Sequence, residues 1–187
     1  MKQIVHHEQC QRCGECCRFR ESRQDFAPIF TIEELDAIRQ VRPDLPEFTP
    51  FKATDNIFQI RLKQAEKPTP LYPYVCPFLD ENAYACTIYD VRPFDCRVWP
   101  FIVLRIKETG QVLLAHFTAS SCLALAEVQP QDFSAYEAYM EQMVSSDEFI
   151  AFLRKYPQII WDHESQGSYV TIPSKDITLL LQSPAGD

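Results

Sequence analysis

Four cysteines within eight residues constrain this chain more than any other feature of its sequence. The run "CQRCGECC" holds Cys10, Cys13, Cys16 and Cys17 among charged and polar neighbours, where a hydrophobic core does not explain them. A C-x2-C step suits a tight turn in which both sulfurs face one ion while backbone amides stabilise the thiolates. Gly14 lies inside that turn, where a positive φ or a close backbone approach is needed. The run therefore predicts metal ligation.

Cys16 and Cys17 are adjacent, which limits how they can bind metal. Neighbouring side chains point to opposite faces of a strand and diverge by about 100° around a helix. We therefore do not expect both sulfurs to serve one ion. Cys17 is expected to reach a second ion or to bridge within a larger cluster.

Four more cysteines follow at a distance from this run, and each has hydrophobic neighbours. They are Cys76, Cys86, Cys96 and Cys122. Free cysteine is often simply a small buried residue, and for Cys122 the core and ligand interpretations both stay open. Because the chain also has the N-terminal run, we expect Cys76, Cys86 and Cys96 to bind metal together with it. Since 58 residues lie between Cys17 and Cys76, such a site requires the chain to fold back in three dimensions.

Composition narrows the function classes. The chain of 187 residues is 46% hydrophobic, enough for a folded core, and its formal net charge is −8. That charge argues against nucleic acid or an acidic membrane as a partner. We see no apolar run of the kind a signal peptide or a bilayer span needs, so a soluble, cytoplasmic protein is expected. Thiols stay reduced there, which favours metal binding over disulfides.

The remaining pattern predicts a mixed α+β fold. "FTIEELDAIRQ" carries a capping box at Thr31 and Glu34 and should end before Pro43. "NIFQIRL" predicts a strand, and "FIVLRI" with "QVLLAHF" predicts a β-hairpin. Residues 131–156 have helical spacing, with a second capping box at Ser145 and Glu148 that marks a break. "SYVTIP" predicts a late strand and "SPAGD" a frayed tail.

We expect one domain over residues 1–187. It comprises a cysteine-cluster region, 1–125, and a helical C-terminal part, 130–187, packed on it. The predicted fold class is α+β, with a small cysteine-rich, metal-stabilised core, a β-hairpin and C-terminal helices.

The identity of the metal stays open between zinc and iron. C-x2-C pairs and tetrahedral thiolate sites favour zinc. The C-x2-C-x2-C run instead resembles the iron–sulfur run of ferredoxins up to its third ligand, but here the fourth cysteine follows at once. The eight thiols suffice for two four-ligand sites or for one polynuclear centre, including an iron–sulfur cluster.

These motifs resemble the cysteine-cluster (CxxCxxCC) family, a zinc- or iron-chelating domain. The resemblance rests on "CQRCGECC" followed by "CPFLDENAYACTIYDVRPFDCRVWPF" and a later Cys122. It implies that all eight cysteines contribute to metal binding. Flagellin lysine N-methylases resemble the same module but are longer chains. This sequence shows no Gly-rich strand–loop–helix of the kind that binds adenosylmethionine.

Other polar residues near the cysteines are weaker candidates. Arg92 and Arg97 bracket Cys96 and are candidates for contacting the cofactor, by donating to thiolate sulfurs or offsetting their charge. The alternative for Arg92 is a surface ion pair with a neighbouring aspartate.

Two groups of histidines also need an interpretation. His6 and His7 precede Cys10 and are possible replacements for a thiolate, although solvation is expected so near a terminus. His116 is a candidate proton donor, although a core or surface position is expected for it.

Three functions remain in order of preference. The first is a metal-binding protein whose cluster is structural or stores, delivers or senses metal. The second is an iron–sulfur-dependent enzyme that modifies a protein side chain, such as a lysine N-methylase-like protein. The third is a thiol redox protein using Cys16 and Cys17. Catalytic residues and a substrate are not identified by the sequence.

Overall fold

A computed structural model describes Lys2, Ile4 and the ranges 7–118, 122–163 and 171–183 of the chain. Helices and strands are mixed along these residues, which confirms the predicted α+β class. The chain forms two compact units, Gln3–Arg97 and Val98–Asp187, and the second also includes Lys2. The prediction of one domain divided near residues 125–130 stays a prediction.

Six α-helices occur among the described residues, three in each unit. They are α1 (His7–Cys13), α2 (Ile32–Val41) and α3 (Phe94–Arg97) in the first unit, and α4 (Pro130–Val144), α5 (Asp147–Lys155) and α6 (Thr178–Gln182) in the second. Short 3₁₀ turns connect several elements, and the one over Glu15–Cys17 directly follows α1. Among the described residues, none of the helices has the length and apolar character needed to cross a bilayer.

The strands of the first unit are short. They are β1 (Arg18–Phe19), β2 (Ile29–Thr31), β3 (Phe48–Pro50), β4 (Ile57–Ile60), β5 (Lys63–Gln64), β6 (Tyr74–Val75), β7 (Leu79–Asp80) and β8 (Ala85–Cys86). They form two three-stranded antiparallel sheets, β1-β6-β5 and β2-β4-β3, and the hairpin β7-β8. The predicted strand in "NIFQIRL" is confirmed as β4, the centre of its sheet.

The core of the first unit includes cysteine side chains. Phe30 and Phe78 are 1% exposed, and the ring of Phe48 packs on Phe30 with centroids 5.1 Å apart. Cys76 is buried in this cluster, while Cys17 is partly buried against it. Cys17 and Cys76, two of the candidate ligands, therefore border a hydrophobic core. Hydrophobic surroundings limit the access of solvent to a metal site.

The predicted capping box of α2 is confirmed. The Thr31 hydroxyl accepts a hydrogen bond from the Glu34 backbone N–H at 3.2 Å, and Glu34 Oε2 accepts from the Thr31 N–H at 3.0 Å. Leu35 and Ile38 are buried on one face of the helix. The helix ends at Val41 because Pro43 cannot continue it.

The second unit is built on one four-stranded sheet. Its strands are β9 (Phe101–Ile106), β10 (Val112–Phe117), β11 (Trp161–His163) and β12 (Thr171–Asp176), in the order β11-β9-β10-β12. The predicted hairpin is confirmed as the antiparallel pair β9-β10. The parallel pairing of β11 with β9 was not predicted, because three residues are too few to show a period.

Two C-terminal predictions fall partly outside the described residues. Of "SYVTIP", residues 168–170 lie outside them, and the strand runs over Thr171–Asp176. Of "SPAGD", only Ser183 is described. It follows α6, a short helix that the sequence analysis did not predict.

The predicted break between α4 and α5 is confirmed, but the predicted cap is wrong. Ser145 is helical, with φ −95° and ψ −3°, and its hydroxyl donates to the Glu141 carbonyl at 2.6 Å. Ser146 is extended, with φ −72° and ψ 147°, and its hydroxyl accepts from the Phe149 N–H at 3.3 Å. Only an extended residue can turn its side chain onto the free N–H groups of the next helix, so Ser146 is the N-cap.

Candidate metal centre

The first two cysteines of the run lie on a helix. Cys10 and Cys13 are one turn apart near the end of α1, so both occupy the same face. The sequence predicted an isolated tight turn here, whereas the two cysteines lie in the last turn of a helix. Gly14 ends this helix with φ +60°, and its N–H donates to the Cys10 carbonyl at 2.8 Å. The predicted positive φ is confirmed, and it redirects the chain into the turn that carries Cys16 and Cys17.

Cys17 and Cys76 are brought together by the β1-β6 ladder. Arg18 pairs with Val75 in that ladder, so the next antiparallel pair outward is Cys17 with Cys76. The Cys76 N–H donates to the Cys17 carbonyl at 2.9 Å, which confirms this continuation. Directly opposed residues of antiparallel strands hold their Cβ atoms about 5 Å apart. The chain therefore closes the gap of 58 residues at the two cysteines themselves.

Cys86 joins this group through the β7-β8 hairpin. Leu79 pairs with Cys86 in the hairpin, and the Leu79 N–H donates to the Cys76 carbonyl at 2.9 Å. The turn from Cys76 to Leu79 therefore places both cysteines at one end of the hairpin. Helix α1, with Cys10 and Cys13, lies against β8.

Cys96 lies in the short helix α3 and is in electrostatic range of the same group. Burial is the main reason that its pKa is raised well above the ordinary value. The charge of Asp95 raises this pKa further, and so do thiolates at Cys76, Cys16 and Cys86. Such mutual effects require the four sulfurs to lie near one another. The N-terminal run and the central cysteines therefore share one region of the first unit.

Two of the sulfurs accept backbone hydrogen bonds. Burial raises the pKa of Cys76 to about 12, while a hydrogen bond from the Phe78 N–H acts in the opposite direction. Burial also raises the pKa of Cys86, again opposed by a hydrogen bond from the N–H two residues later, at Ile88. An N–H aimed at sulfur stabilises the thiolate more than the thiol. Cys76 and Cys86 therefore each have one backbone donor that stabilises the thiolate, which is the form that binds metal.

The adjacent cysteines share a hydrogen bond. The Cys16 thiol donates to Cys17, which is the main reason that the pKa of Cys16 is well above its ordinary value. The same bond lowers the pKa of Cys17, but burial and the charges of Cys76, Cys96 and Cys86 leave it raised. Metal ligation by Cys16 therefore requires loss of the proton that it shares with Cys17 in this hydrogen bond.

The two candidate arginines occupy different surroundings. The Arg92 guanidinium lies 3.6 Å from the centroid of the Tyr89 ring, and its Nε donates to the Tyr89 carbonyl at 3.0 Å. Its charge lowers the pKa of Cys16 and of Cys86, against the larger effects that raise them. Arg97 instead pairs with Glu34 at 3.4 Å. The charge of Arg92 therefore acts on two of the thiols, as the sequence analysis expected of a residue close to Cys96.

Cys122, His116 and His7 are the other candidate residues that the structure describes. Cys122 is 4% exposed in the second unit, at the start of the 3₁₀ turn Leu123–Glu127. His116 is buried in that unit, with its ring 4.9 Å from the ring of Phe133 and its Nε2 3.6 Å from a Glu137 oxygen. His7 begins α1, and His6 lies outside the described residues. The metal role predicted for Cys122 stays a prediction.

The donor set fits a soft metal ion in its chemistry. Thiolates select zinc, copper(I) and iron–sulfur clusters over hard cations. Among the described residues, however, no group of three or more Cys, His, Asp or Glu side chains has the arrangement of a finished metal site. None of the eight cysteines, all within the described ranges, forms a disulfide. The structure therefore brings thiols together without showing which of them would share an ion.

Sequence reasoning missed the contributions that come from the backbone. The N–H groups of Phe78 and Ile88 act on sulfur, yet any residue except proline supplies the same donor. The contact of Glu34 with α3 was also missed, because the capping box already explained that residue. Only the tertiary arrangement identifies these groups.

Comparison with known proteins gives one family match. Residues 9–123 match the CxxCxxCC family, described as "Putative zinc- or iron-chelating domain". The matched range includes all eight cysteines of the chain. A search of solved structures finds none that matches.

Proposed function

This chain belongs to the CxxCxxCC family, whose description names zinc or iron chelation, and from that premise we propose that it holds zinc or an iron or iron–sulfur centre through its cysteines. One observation carries the proposal. The Cys76 N–H donates to the Cys17 carbonyl at 2.9 Å, so the N-terminal run meets the central segment at two candidate ligands. A shared metal is the simplest reason for thiols so remote in sequence to converge in a reducing environment.

The proposed ligands are the cysteines of both segments and, in addition, Cys122. They are Cys10, Cys13, Cys16, Cys17, Cys76, Cys86, Cys96 and Cys122. Arg92 offsets the negative charge of the thiolates, and the Phe78 and Ile88 amides donate to two of the sulfurs. A bound zinc ion would supply a structural cross-link, and an iron–sulfur cluster would add electron transfer. Arg92 and the two amides lower the free energy needed to bring thiolates together beside a hydrophobic core.

We further propose that the protein acts in metal chelation, in a structural or metal-handling role, and in the cytoplasm. Seven cysteines in one unit exceed the four that a single tetrahedral site uses. The excess supports either two sites or one polynuclear centre. A reducing compartment supports both, because thiols remain available to the metal there.

Anaerobic purification followed by elemental analysis tests the proposal. The wild-type protein is expected to retain stoichiometric zinc or iron. Brown protein with equal iron and acid-labile sulfide would identify an iron–sulfur cluster, and colourless protein with zinc would identify zinc thiolate sites. Protein that neither retains nor takes up either metal would refute metal chelation.

Substitutions at the two segments test where the metal binds. Cys17→Ser and Cys86→Ser are each expected to lower the metal content. Ala85→Ser is the matched control, since it places the same side chain one residue before Cys86 on β8. Full metal content in both cysteine variants would refute the proposed centre. Cys122→Ser decides the eighth ligand, because it lowers the metal content only if that sulfur binds.

A further inference from the structure

Glu34 connects two helices that the sequence treats as separate. Its Oε2 accepts from the Thr31 N–H at the start of α2, at 3.0 Å. Its Oε1 accepts from the Phe94 N–H at 2.6 Å, and Phe94 is the first residue of α3. One carboxylate therefore closes the capping box of α2 and also holds the first turn of the helix that carries Cys96.

Helix α3 depends on such external contacts. It has four residues, and a helix of one turn is not stable by itself in water. The N–H groups of Cys96 and Arg97 both donate to the Pro93 carbonyl, at 3.1 and 3.0 Å. The N–H of Phe94 is left for Glu34, and a charged acceptor makes this hydrogen bond stronger than a neutral one.

A second carboxylate ties the same turn to the sheet. Asp95 Oδ2 accepts from the N–H of Ile29, the first residue of β2, at 3.2 Å. Arg97 places its guanidinium 3.4 Å from Glu34, whose side chain is only 14% exposed. The residues on both sides of Cys96 are thus anchored to α2 and β2.

We infer that Glu34 is a positioning residue that fixes Cys96 toward the other cysteines. This inference rests on the proposed metal-binding function. Glu34 does not bind the metal itself; it acts through the backbone of α3. If Glu34 served only as the capping-box residue of α2, another substitution that weakens this capping box would impair metal binding to the same extent.

Three variants separate the two roles. Glu34→Ala removes both functions of the carboxylate. Thr31→Val is the matched control, because it removes the hydroxyl that accepts from the Glu34 N–H but leaves the contact between Glu34 and Phe94. Glu34→Gln keeps one carbonyl acceptor and tests whether a neutral group suffices.

Cobalt(II) titration of the metal-free protein measures the effect on the centre. Glu34→Ala is expected to weaken cobalt binding by about tenfold or more, the range found for residues that orient ligands. It should also reduce the thiolate-to-cobalt charge-transfer absorption, as Cys96→Ser is expected to do. Thr31→Val should leave the cobalt affinity and the absorption unchanged. Glu34→Gln should show the absorption of the wild-type protein but should bind cobalt more weakly. Equal losses in Glu34→Ala and Thr31→Val would overturn the inference.

Amide hydrogen exchange of the metal-free protein provides a readout without metal. Glu34→Ala should accelerate exchange at Phe94 and Cys96 of α3, and also at Thr31, whose N–H loses its acceptor, while the other elements of the first unit stay protected. Thr31→Val should leave exchange in α3 unchanged. Unchanged exchange in α3 would overturn the positioning role even if metal binds. A wild-type protein that binds no cobalt, zinc or iron would instead overturn the proposed function, while the exchange data would still decide whether Glu34 orders α3.

Discussion

At the scale of single residues, the thiols differ in what donates to their sulfurs and in which charges face them. Burial raises the pKa of Cys76 and Cys86, and one backbone N–H acts against burial at each. The charge of Arg92 lowers the pKa of Cys86 and of Cys16. Since metal binds the thiolate, every group that lowers a cysteine pKa also favours the metal-bound state.

Arg92→Ala is therefore expected to weaken metal binding at neutral pH by about tenfold. Loss of the charge raises the pKa of Cys16 and Cys86 further, so the free energy needed to displace their protons increases. Arg39→Ala is the control, because Arg39 pairs with Asp36 on the same helix and both side chains are about half exposed, 49% and 61%. Competition with a chromophoric zinc chelator measures the affinities. Equal affinities for the two variants would contradict the role of Arg92.

At the scale of elements, the first unit relies on pairing between very short pieces of chain. Strands β1, β6, β7 and β8 have two residues each. Such strands are not stable in isolation, so their hydrogen bonds form only with tertiary packing. In the second unit, α4 has 15 residues and α5 has 9, and the start of α5 depends on a local cap. There, one serine decides where a helix begins.

Ser146→Ala is expected to lower the free energy of unfolding by about 1 kcal/mol, the usual cost of losing an N-cap. Ser145→Ala is the neighbouring control. Its hydroxyl donates to the carbonyl of Glu141 and caps no N–H group of α5, so its loss should cost less. Urea denaturation followed by circular dichroism measures both. A larger loss in Ser145→Ala would contradict the assignment of the cap.

At the scale of the whole molecule, the thiols would add negative charge to a chain that already carries a formal −8. Burial keeps them protonated in the metal-free protein, as the raised pKa values of Cys76 and Cys96 indicate. Metal binding releases these protons. Stability should therefore depend on pH in opposite ways with and without metal.

The metal-free protein is expected to lose stability as the pH rises from about 9 toward 12. The folded state holds the Cys76 proton up to a pKa of about 12, whereas the ordinary value is 9.0. Between these values the unfolded state binds fewer protons, so the free energy of unfolding falls with rising pH. Below the ordinary value this contribution is fully present.

The metal-loaded protein should instead lose stability on acidification, because protons then compete with the metal for sulfur. Thermal melts of both forms, from acidic pH up to about pH 12, provide the measurement. Metal-free Cys76→Ser is the control and should show a shallower alkaline decline. Parallel pH profiles for the loaded and metal-free forms would contradict the expectation.

Elements with a hydrophobic period or a local signal could be predicted from the amino-acid sequence. The capping box of α2, the β9-β10 hairpin, the break between α4 and α5 and the positive φ of Gly14 were all predicted correctly. Each depends on residues close together in the chain. The clustering and spacing of the cysteines also predict that they bind metal, and this assignment stays a prediction.

Contacts between residues remote in sequence became known only from the folded chain. Two-residue strands have no detectable period, so neither the opposition of Cys17 and Cys76 nor the parallel pairing of β11 followed from the sequence. The choice of Ser146 over Ser145 depended on one backbone angle, and the contact of Glu34 with Phe94 depended on how α2 and α3 pack. Local patterns specify local elements, whereas register and packing are set by partners that the pattern does not name.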